Sequence, residues 1–565
     1  MNPYTPITES LCKHYPEIDP ADLVYSKPPS ADLGDVALAM FPLARTLKSA
    51  PPKIAAEVAE KVDFGPLVQE VTPTGPYLNF KLNRSQAIRN IVSTVLTEQS
   101  DYGSSDCGKD QRVVLEHTSI NPNASPHVGR ARNAMIGDSL ARLLRFQGHD
   151  VEVHYYVNDM GRQIGLLVLV AEELEDLNFE QILEAYVEAN QRAEADPDFA
   201  EKGYELLVRM EEGDPEVQRQ FREVTDLCLK GQLAVLERLG ARYDCFDRES
   251  KYVRDARLEK IQEALRAKDA VFVDEEERLV VDLSKLGYPH EQGRYFVLMR
   301  ANGSSMYGYR DIAYTMDKES LGADLNIMVL GEDHKLYAQQ LQLILESAGH
   351  KAPESVYYAY ILLKEGKMST RQGKVVLLSD FLDQAAALAV ARVEEQCRDL
   401  SAEEQQAIAE KVAVAAIRFA VLRVNPNKNV IFDMEAALSF TGDTGPYIQY
   451  CCARIQSILR KAEDKIPTTP SADFPLEAQA EWQVAATVAE FDSVLLAAYE
   501  QRNVAGIGLY ALELARQFTT FYHECPVLIA ESEALRLARL QLCQAVLQTL
   551  RNALYLLGID VPEQM

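Results

Sequence analysis

The sequence predicts an α/β protein with an all-α end: a doubly wound parallel sheet at the centre, a small α/β unit before it and a helix bundle after it. Three observations carry this. Apolar runs bounded by glycine or charge, at 112–116, 151–157, 326–330 and 356–363, alternate with helical stretches, and buried strands separated by helices assemble into parallel sheets. After about residue 380 the strand signals fade and a helical period takes over to the end. Residues 1 to about 105 carry their own helix and strand pattern and run into the polar stretch 99–110, which contains two glycines and suits a linker.

In the first unit (1–105), Pro51-Pro52 opens a helix with Ile54, Ala55, Val58 and Val62 on one side, and Gly75-Pro76-Tyr77-Leu78-Asn79-Phe80-Lys81-Leu82 alternates as a strand does. The central unit (106–380) begins strand, turn, helix, strand, the Rossmann-like order, and its first helix sets Ile136, Leu140, Leu143 and Leu144 on one face. Residues 165–245 are helical and acid-rich, with Val217, Phe221, Val224 and Cys228 at helical spacing, and read as an insertion into that unit. In the last unit (381–565), Ile448, Cys451, Cys452, Ile455, Ile458 and Leu459 form one apolar stripe, and Leu535, Ala538, Leu542, Ala545, Val546 and Leu550 form another. No internal repeat or low-complexity tract interrupts the chain.

With 565 residues, 47% of them hydrophobic and 25% charged, three or four packed domains are within reach. The opening residues have no basic region followed by an apolar run, and no stretch reaches the ~18 apolar residues of a membrane helix, so a cytoplasmic enzyme with no membrane partner is expected. The nine cysteines include no C-x-x-C pair, so neither a disulfide framework nor structural zinc is expected. A net charge of −27 weighs against nucleic acid, yet the acidic residues concentrate in segments such as 172–201 while cations cluster at 364–374 and 454–461, which leaves room for a basic track.

Two segments carry the chemistry. Asn121-Pro122-Asn123-Ala124-Ser125-Pro126-His127-Val128-Gly129-Arg130 lies where the strand at 112–116 gives way to a helix, and a helix N-terminus offers free N–H groups to an anion. Gly129 would let an adenine ring approach the backbone. Roughly 240 residues later, Lys364-Glu365-Gly366-Lys367-Met368-Ser369-Thr370-Arg371-Gln372-Gly373-Lys374 places four cations between glycines that can act as hinges. Taken alone, the second is a solvated basic loop; with the first in the same sheet, it reads as the mobile half of an ATP site outside the P-loop type, with Lys367 placed on the charge that develops as pyrophosphate leaves. Gly331-Glu332-Asp333-His334, at the carboxyl end of the run 326–330, occupies the position at which open α/β sheets bind ligands.

Together with Ala31-Asp32-Leu33-Gly34-Asp35, Glu116-His117-Thr118-Ser119, Asn158-Asp159-Met160-Gly161-Arg162-Gln163, Tyr309-Arg310-Asp311-Ile312-Ala313, Thr444-Gly445-Pro446-Tyr447-Ile448-Gln449-Tyr450 and the terminal Val561-Pro562-Glu563-Gln564-Met565, these segments resemble the class I aminoacyl-tRNA synthetases, and among them the arginyl-tRNA synthetases, over nearly the whole chain. Arg130 departs from the family pattern, which carries a second histidine there. The resemblance implies a phosphate end made by His127, Arg130 and Lys367, with Ser369 and Arg371 shaping the loop, and an adenosine held by Gly129, Gly331, Glu332, Asp333 and Met368. It assigns arginine contacts to Asn121, His127, Glu249, Tyr307, Asp311 and His334. Tyr307 and Asp311 are four apart, so on a helix they share a face. A guanidinium is read best by fixed carboxylate, amide or phenol oxygens.

The resemblance makes 1–105 the part that meets the tRNA elbow, through Asn79 and Phe80, and 381–565 the anticodon-binding part, through Tyr447, Gln449 and Arg454. Aromatic faces beside a cation suit stacking of unpaired bases; packing into the bundle core is the alternative for Tyr447, whereas Gln449 and Arg454 lie off the apolar stripe. The expected substrates are L-arginine, ATP as its magnesium complex and tRNA(Arg), with activation dependent on bound tRNA, in a monomer. Another class I synthetase, a small-molecule nucleotidyltransferase and a catalytically silent tRNA-binding paralogue remain open at this point.

Overall fold

The computed structural model describes residues 4–122, 126–170, 179–364, 376–396, 398–462 and 466–565. The first unit holds α1 (Thr5–His14), β1 (Tyr25–Ser26), β2 (Val36–Ala39), α2 (Leu43–Thr46), α3 (Pro51–Lys61), β3 (Val68–Thr74), β4 (Tyr77–Leu82) and α4 (Arg84–Glu98). Its strands form an antiparallel sheet in the order β1-β2-β4-β3. The apolar side of α3, Ile54, Ala55 and Val58, is buried as the periodicity predicts. Helix α4 starts at Asn83, whose side chain accepts from the Gln86 N–H, and ties to the far end of the chain: the Ser85 hydroxyl donates to the Phe474 carbonyl at 2.5 Å.

The central unit follows as β5 (Arg112–Glu116), α5 (Val128–Phe146), β6 (Asp150–Val157), α6 (Arg162–Leu169), α7 (Phe179–Ala195), α8 (Pro197–Glu212), α9 (Pro215–Arg238), β7 (Cys245–Arg248), α10 (Arg257–Arg266), β8 (Val271–Val273), β9 (Leu279–Asp282), β10 (Tyr295–Met299), α11 (Tyr307–Ser320), β11 (Leu325–Gly331), α12 (Lys335–Ser347), β12 (Glu354–Tyr358) and β13 (Ile361–Leu363). Five strands make a wholly parallel sheet, β12-β11-β5-β6-β7. The chain leaves β5 toward β6 and later returns to β5's other side as β11, so the order of winding reverses between β5 and β11. Helices α6 to α9 form the predicted insertion. Strands β8, β9 and β10 form a separate antiparallel sheet that the sequence reading did not anticipate.

The expected single strand at 356–363 is two. β12 ends at Tyr358, and β13 pairs in parallel with β14 (Val430–Phe432); between them the Ala359 N–H donates to the Pro426 carbonyl at 2.8 Å, which turns the chain out of the main sheet. The remaining elements are helices: α13 (Leu378–Gln396), α14 (Ala402–Leu422), α15 (Met434–Ala437), α16 (Gly445–Lys461), α17 (Gln479–Ala489), α18 (Phe491–Glu500), α19 (Ala505–Glu524) and α20 (Glu533–Leu556). Both predicted stripes face their core: Ile448, Cys452 and Ile455 on α16, and Leu542, Ala545 and Leu550 on α20, are fully buried. Buried Arg418 on α14 joins the units, donating to the carbonyls of Leu239 and Leu557 and to Asp138 of α5 at 2.5, 2.5 and 2.6 Å.

Candidate active site

A cleft of about 210 Å³ opens at the point where the winding reverses, lined among others by Glu116, Arg130, Asn133, Asp311, Gly331 and His334. Ligands bind at this place in open α/β sheets because the strand ends and helix N-termini leave a crevice there. The chain enters it under strain: Thr118 and Ser119, just past β5, have φ of 78° and 48°, in the left-handed region that costs a β-branched residue ~1–3 kcal/mol. Three contacts hold the bend. The Asn133 amide oxygen accepts from the Thr118 N–H at 2.8 Å, the Tyr243 hydroxyl donates to Thr118 Oγ1 at 2.7 Å, and His117 Nδ1 meets the same oxygen at 2.8 Å. His117 fits only because position 137 on α5 is glycine; a Cβ there would lie 2.2 Å from His117 Cγ.

Helix α11 supplies one wall. Tyr307 and Asp311 both face the cleft, as their spacing predicts. Three carboxylates converge here, and they differ in what neutralises them. Glu249 receives Arg310 Nε at 2.6 Å, and Glu116 receives the Nζ of fully buried Lys318 at 2.6 Å. Asp311 accepts from the Tyr337 hydroxyl and, among the described residues, has no cation in ion-pair contact. Burial pushes its carboxyl up to about 7, the negative neighbours Glu249 and Glu116 adding to the effect while the Tyr337 bond opposes it. Arg310, adjacent to Asp311 in sequence, is spent on Glu249 and Ser305.

The opposite wall is the start of α5. His127 occupies the N-cap position with extended backbone, and Arg130, in the first turn, reaches the cleft. Burial, with Arg130 adding to it, holds the His127 imidazole below its usual pKa and therefore neutral, and its buried Nδ1 has no hydrogen-bond partner among the described residues. Lys367, Met368, Ser369 and Arg371 lie outside the described residues. Their C-terminal flank is joined to the His127 segment: His127 bridges Leu377, the Val128 N–H donates to the Val376 carbonyl at 3.3 Å and the Leu378 N–H to the Pro126 carbonyl at 2.7 Å. Gly331 ends β11, and Glu332, Asp333 and His334 form one exposed turn beyond it, with His334 Nε2 3.7 Å from Asp333. Asn121 sits at the rim, accepting from the Asn158 side chain at 2.7 Å; Asn158 itself lines the cleft.

Three of the residues expected to meet tRNA, Asn79, Phe80 and Gln449, are enclosed. Phe80 is fully buried against Phe64, and Asn79, on the opposite face of the inner strand β4, is buried with its amide donating to Thr74 Oγ1 at 2.9 Å. Gln449 is also fully buried, its amide donating to the carbonyls of Lys411 and Asp560 at 3.2 and 2.6 Å. It lies off the apolar stripe because it clamps the chain's end to α14, not because it faces solvent. Tyr447 is half-buried, its hydroxyl 3.1 Å from Thr519. Arg454 is half-buried, 5.0 Å above the Tyr450 ring and 5.6 Å above that of Tyr522.

The sequence reading passed over several residues that build the site. Fully buried Arg132 donates to the carbonyls of Ala359 and Lys428 at 2.6 and 2.8 Å, fixing the turn between β12 and β13, and burial lowers its pKa to about 10. Asn133 links the strained bend to the Val329 carbonyl at 2.9 Å. Lys318 and Tyr337 donate to two of the carboxylates, Glu116 and Asp311. The period of α5 and α11 could have flagged the polar ones, since a polar residue on an apolar face needs a partner.

Residues 91–434, more than half of the chain, match the family described as tRNA synthetases class I (R), catalytic domain. With the reversed-winding parallel sheet and the cleft at its switch point, this makes the chain a class I aminoacyl-tRNA synthetase. Residues 5–82 match the arginyl tRNA synthetase N-terminal domain and 448–565 the DALR anticodon-binding domain. The arginine–tRNA ligase of Methanothermobacter thermautotrophicus is 37% identical over 97% of this chain and 96% of its own length, and that of Methanocella arvoryzae 39% over 93% and 92%. The Thermus thermophilus arginyl-tRNA synthetase structure superposes with a TM-score of 0.81 at 29% identity, covering 100% of both chains. The chain belongs to the arginyl-tRNA synthetase family.

Proposed function

We propose that this chain ligates arginine to tRNA(Arg) in two steps. The arginine carboxylate attacks the α-phosphorus of ATP, supplied as its magnesium complex, giving arginyl-adenylate and pyrophosphate; the terminal adenosine of the tRNA then takes the acyl group, on its 2′-hydroxyl, and AMP leaves. No covalent bond to the protein forms. The single observation that carries the arginine assignment is Asp311: a half-buried carboxylate facing the cleft, bonded to the Tyr337 hydroxyl and lacking a cation among the described residues. A guanidinium supplies the missing charge and several donors in a planar fork, which a lysine ammonium does not.

In this reading Asp311, Tyr307 and the free edge of Glu249 receive the guanidinium, while Asn121, His127 and His334 lie toward the other end of the amino acid. Arg130 and neutral His127 donate to phosphate oxygens where charge builds up as pyrophosphate departs, with Lys367 and the loop around it closing from the far side. Gly129, Gly331, Glu332, Asp333 and Met368 frame the adenosine, and Arg454 with the rings of Tyr450 and Tyr522 offers bases a stacking platform. Activation requires bound tRNA; arginine-dependent exchange of pyrophosphate into ATP without tRNA would contradict that step alone. Offering total tRNA each amino acid in turn tests the whole reading: arginine alone should be esterified, and charging by none would favour a silent tRNA-binding paralogue.

A further inference from the structure

On the β6–β7 edge of the main sheet, Glu152, His154 and Cys245 bring a carboxylate oxygen, an imidazole nitrogen and a thiol together, the three ligand atoms all within 4.8 Å of one another. Glu152 and His154 are two apart on β6 and so share a face, and Cys245 is the register partner of His154 on β7. One atom lies at the centre: Glu152 Oε1 is 2.9 Å from His154 Nε2 and accepts the Cys245 thiol at 3.0 Å.

Two further contacts aim these atoms. Arg112 takes the other carboxylate oxygen, Glu152 Oε2, at 2.5 Å, leaving Oε1 for the cluster. His154 Nδ1 lies 2.6 Å from Asp247 Oδ2, which also accepts from the Tyr314 hydroxyl at 3.0 Å. With Nδ1–H directed at a carboxylate, loss of the proton between Nε2 and Glu152 leaves the Nε2 lone pair pointing at the cluster, the orientation that an imidazole ligand needs. His154 is buried, whereas the Glu152 side chain is 26% exposed and Cys245 is partly exposed, so an ion can enter from solvent.

We propose that Glu152, His154 and Cys245 bind one zinc ion, with water in the fourth position. Thiolate and imidazole select a borderline-soft divalent cation, and three protein ligands plus water complete a tetrahedron. Zinc at about 2.0–2.2 Å from N and O and about 2.3 Å from S spaces tetrahedral ligand atoms by about 3.4–3.6 Å, so the two contacts at Glu152 Oε1 have to open by roughly half an ångström, while Nε2 and Sγ already lie within 4.8 Å of each other. Binding replaces the thiol proton of Cys245 and the proton shared by His154 Nε2 and Glu152, and both leave to solvent. No sequence motif marks the site, since its ligands come from two strands about 90 residues apart and no C-x-x-C pair is involved.

Cobalt titration of the full-length, reduced, chelator-treated protein tests this. One equivalent of cobalt(II) should give the intense visible bands of a tetrahedral site and a near-ultraviolet thiolate-to-metal band, both removed by one equivalent of zinc. C245S should lose the thiolate band with its circular dichroism unchanged. D247N, which keeps all three ligands but loses the carboxylate behind His154, should bind cobalt about tenfold more weakly or worse. If C245S does not fold, E152Q serves instead and should also weaken binding at least about tenfold. Absence of the bands in the wild-type protein would overturn the proposal, as would a thiolate band that persists in C245S, or E152Q binding as tightly as wild type.

Discussion

Replacing Asp311 by asparagine removes a charge while keeping nearly the same volume and an oxygen able to accept from Tyr337. In the cleft, the carboxylate would form charge-assisted bonds with the guanidinium, worth ~1.5–3 kcal/mol, so D311N should raise the KM for arginine about 10- to 150-fold and leave the KM for ATP within about twofold. The pH dependence is sharper still. The carboxyl sits at about 7 in the open cleft, and arginine binds its ionised form, so apparent arginine affinity should fall about tenfold for each pH unit below 7; D311N should remove that part of the slope. Stability runs the other way. A carboxyl held above its usual 3.8 keeps a proton that the unfolded chain has lost, so this group's contribution declines from about pH 4 to pH 7 and is flat above. The ceiling is roughly 4 kcal/mol at ~1.4 kcal/mol per pH unit, and water in the cleft reduces it to ~1–2 kcal/mol. D311N should therefore gain more in Tm at pH 8 than at pH 5.5. Steady-state arginylation across pH 5.5–8, paired with thermal melts, measures both. An arginine KM within twofold of wild type, or an identical pH profile, would refute the role given to Asp311.

R130A should lower kcat/KM for ATP by about 10- to 150-fold, the worth of one charge-assisted bond of ~1.5–3 kcal/mol, and R130H should recover most of it; charging by R130A at the native rate would strip Arg130 of its phosphate role. K318A leaves Glu116 buried without its 2.6 Å partner, which should cost ~3–5 kcal/mol and show as a large fall in Tm, with unchanged melting as the contrary result. G137A drives a methyl group to 2.2 Å from His117 Cγ; melts should show ~1–3 kcal/mol of destabilisation, and arginylation should fall as well because His117 supports the strained Thr118.

The long elements were legible because their patterns are local. The apolar run of β5, the face of α5 and the stripes of α16 and α20 each declare their period within a dozen residues, and Tyr307 with Asp311 could be placed on one face from spacing alone. What failed depended on distant partners. The run 356–363 is continuous in hydrophobicity, and only Pro426 and β14, some 70 residues on, divide it. Strands β8 to β10 are short and lie among charged residues, so no alternation stands out. The pattern of α16 alone places Gln449 at the surface, while its burial comes from α14 and the chain's end; Phe80 is assigned through the resemblance, and its enclosure depends on Phe64, outside its own strand. The same limit applies inside the cleft, where Asp311 could be named but its want of a cation among the described residues could not, since Lys318 and Arg310 are claimed by Glu116 and Glu249.

Citrulline, which has arginine's length and shape but carries a neutral urea in place of the guanidinium, tests most directly whether buried carboxylates read that group. Measured as a substrate and as a competitor in tRNA charging, it should be disfavoured against arginine by about 100-fold or more, from two lost charge-assisted bonds of ~1.5–3 kcal/mol each. Discrimination of less than about fivefold would contradict the account, because the charge on Asp311 would then have no part in choosing the amino acid.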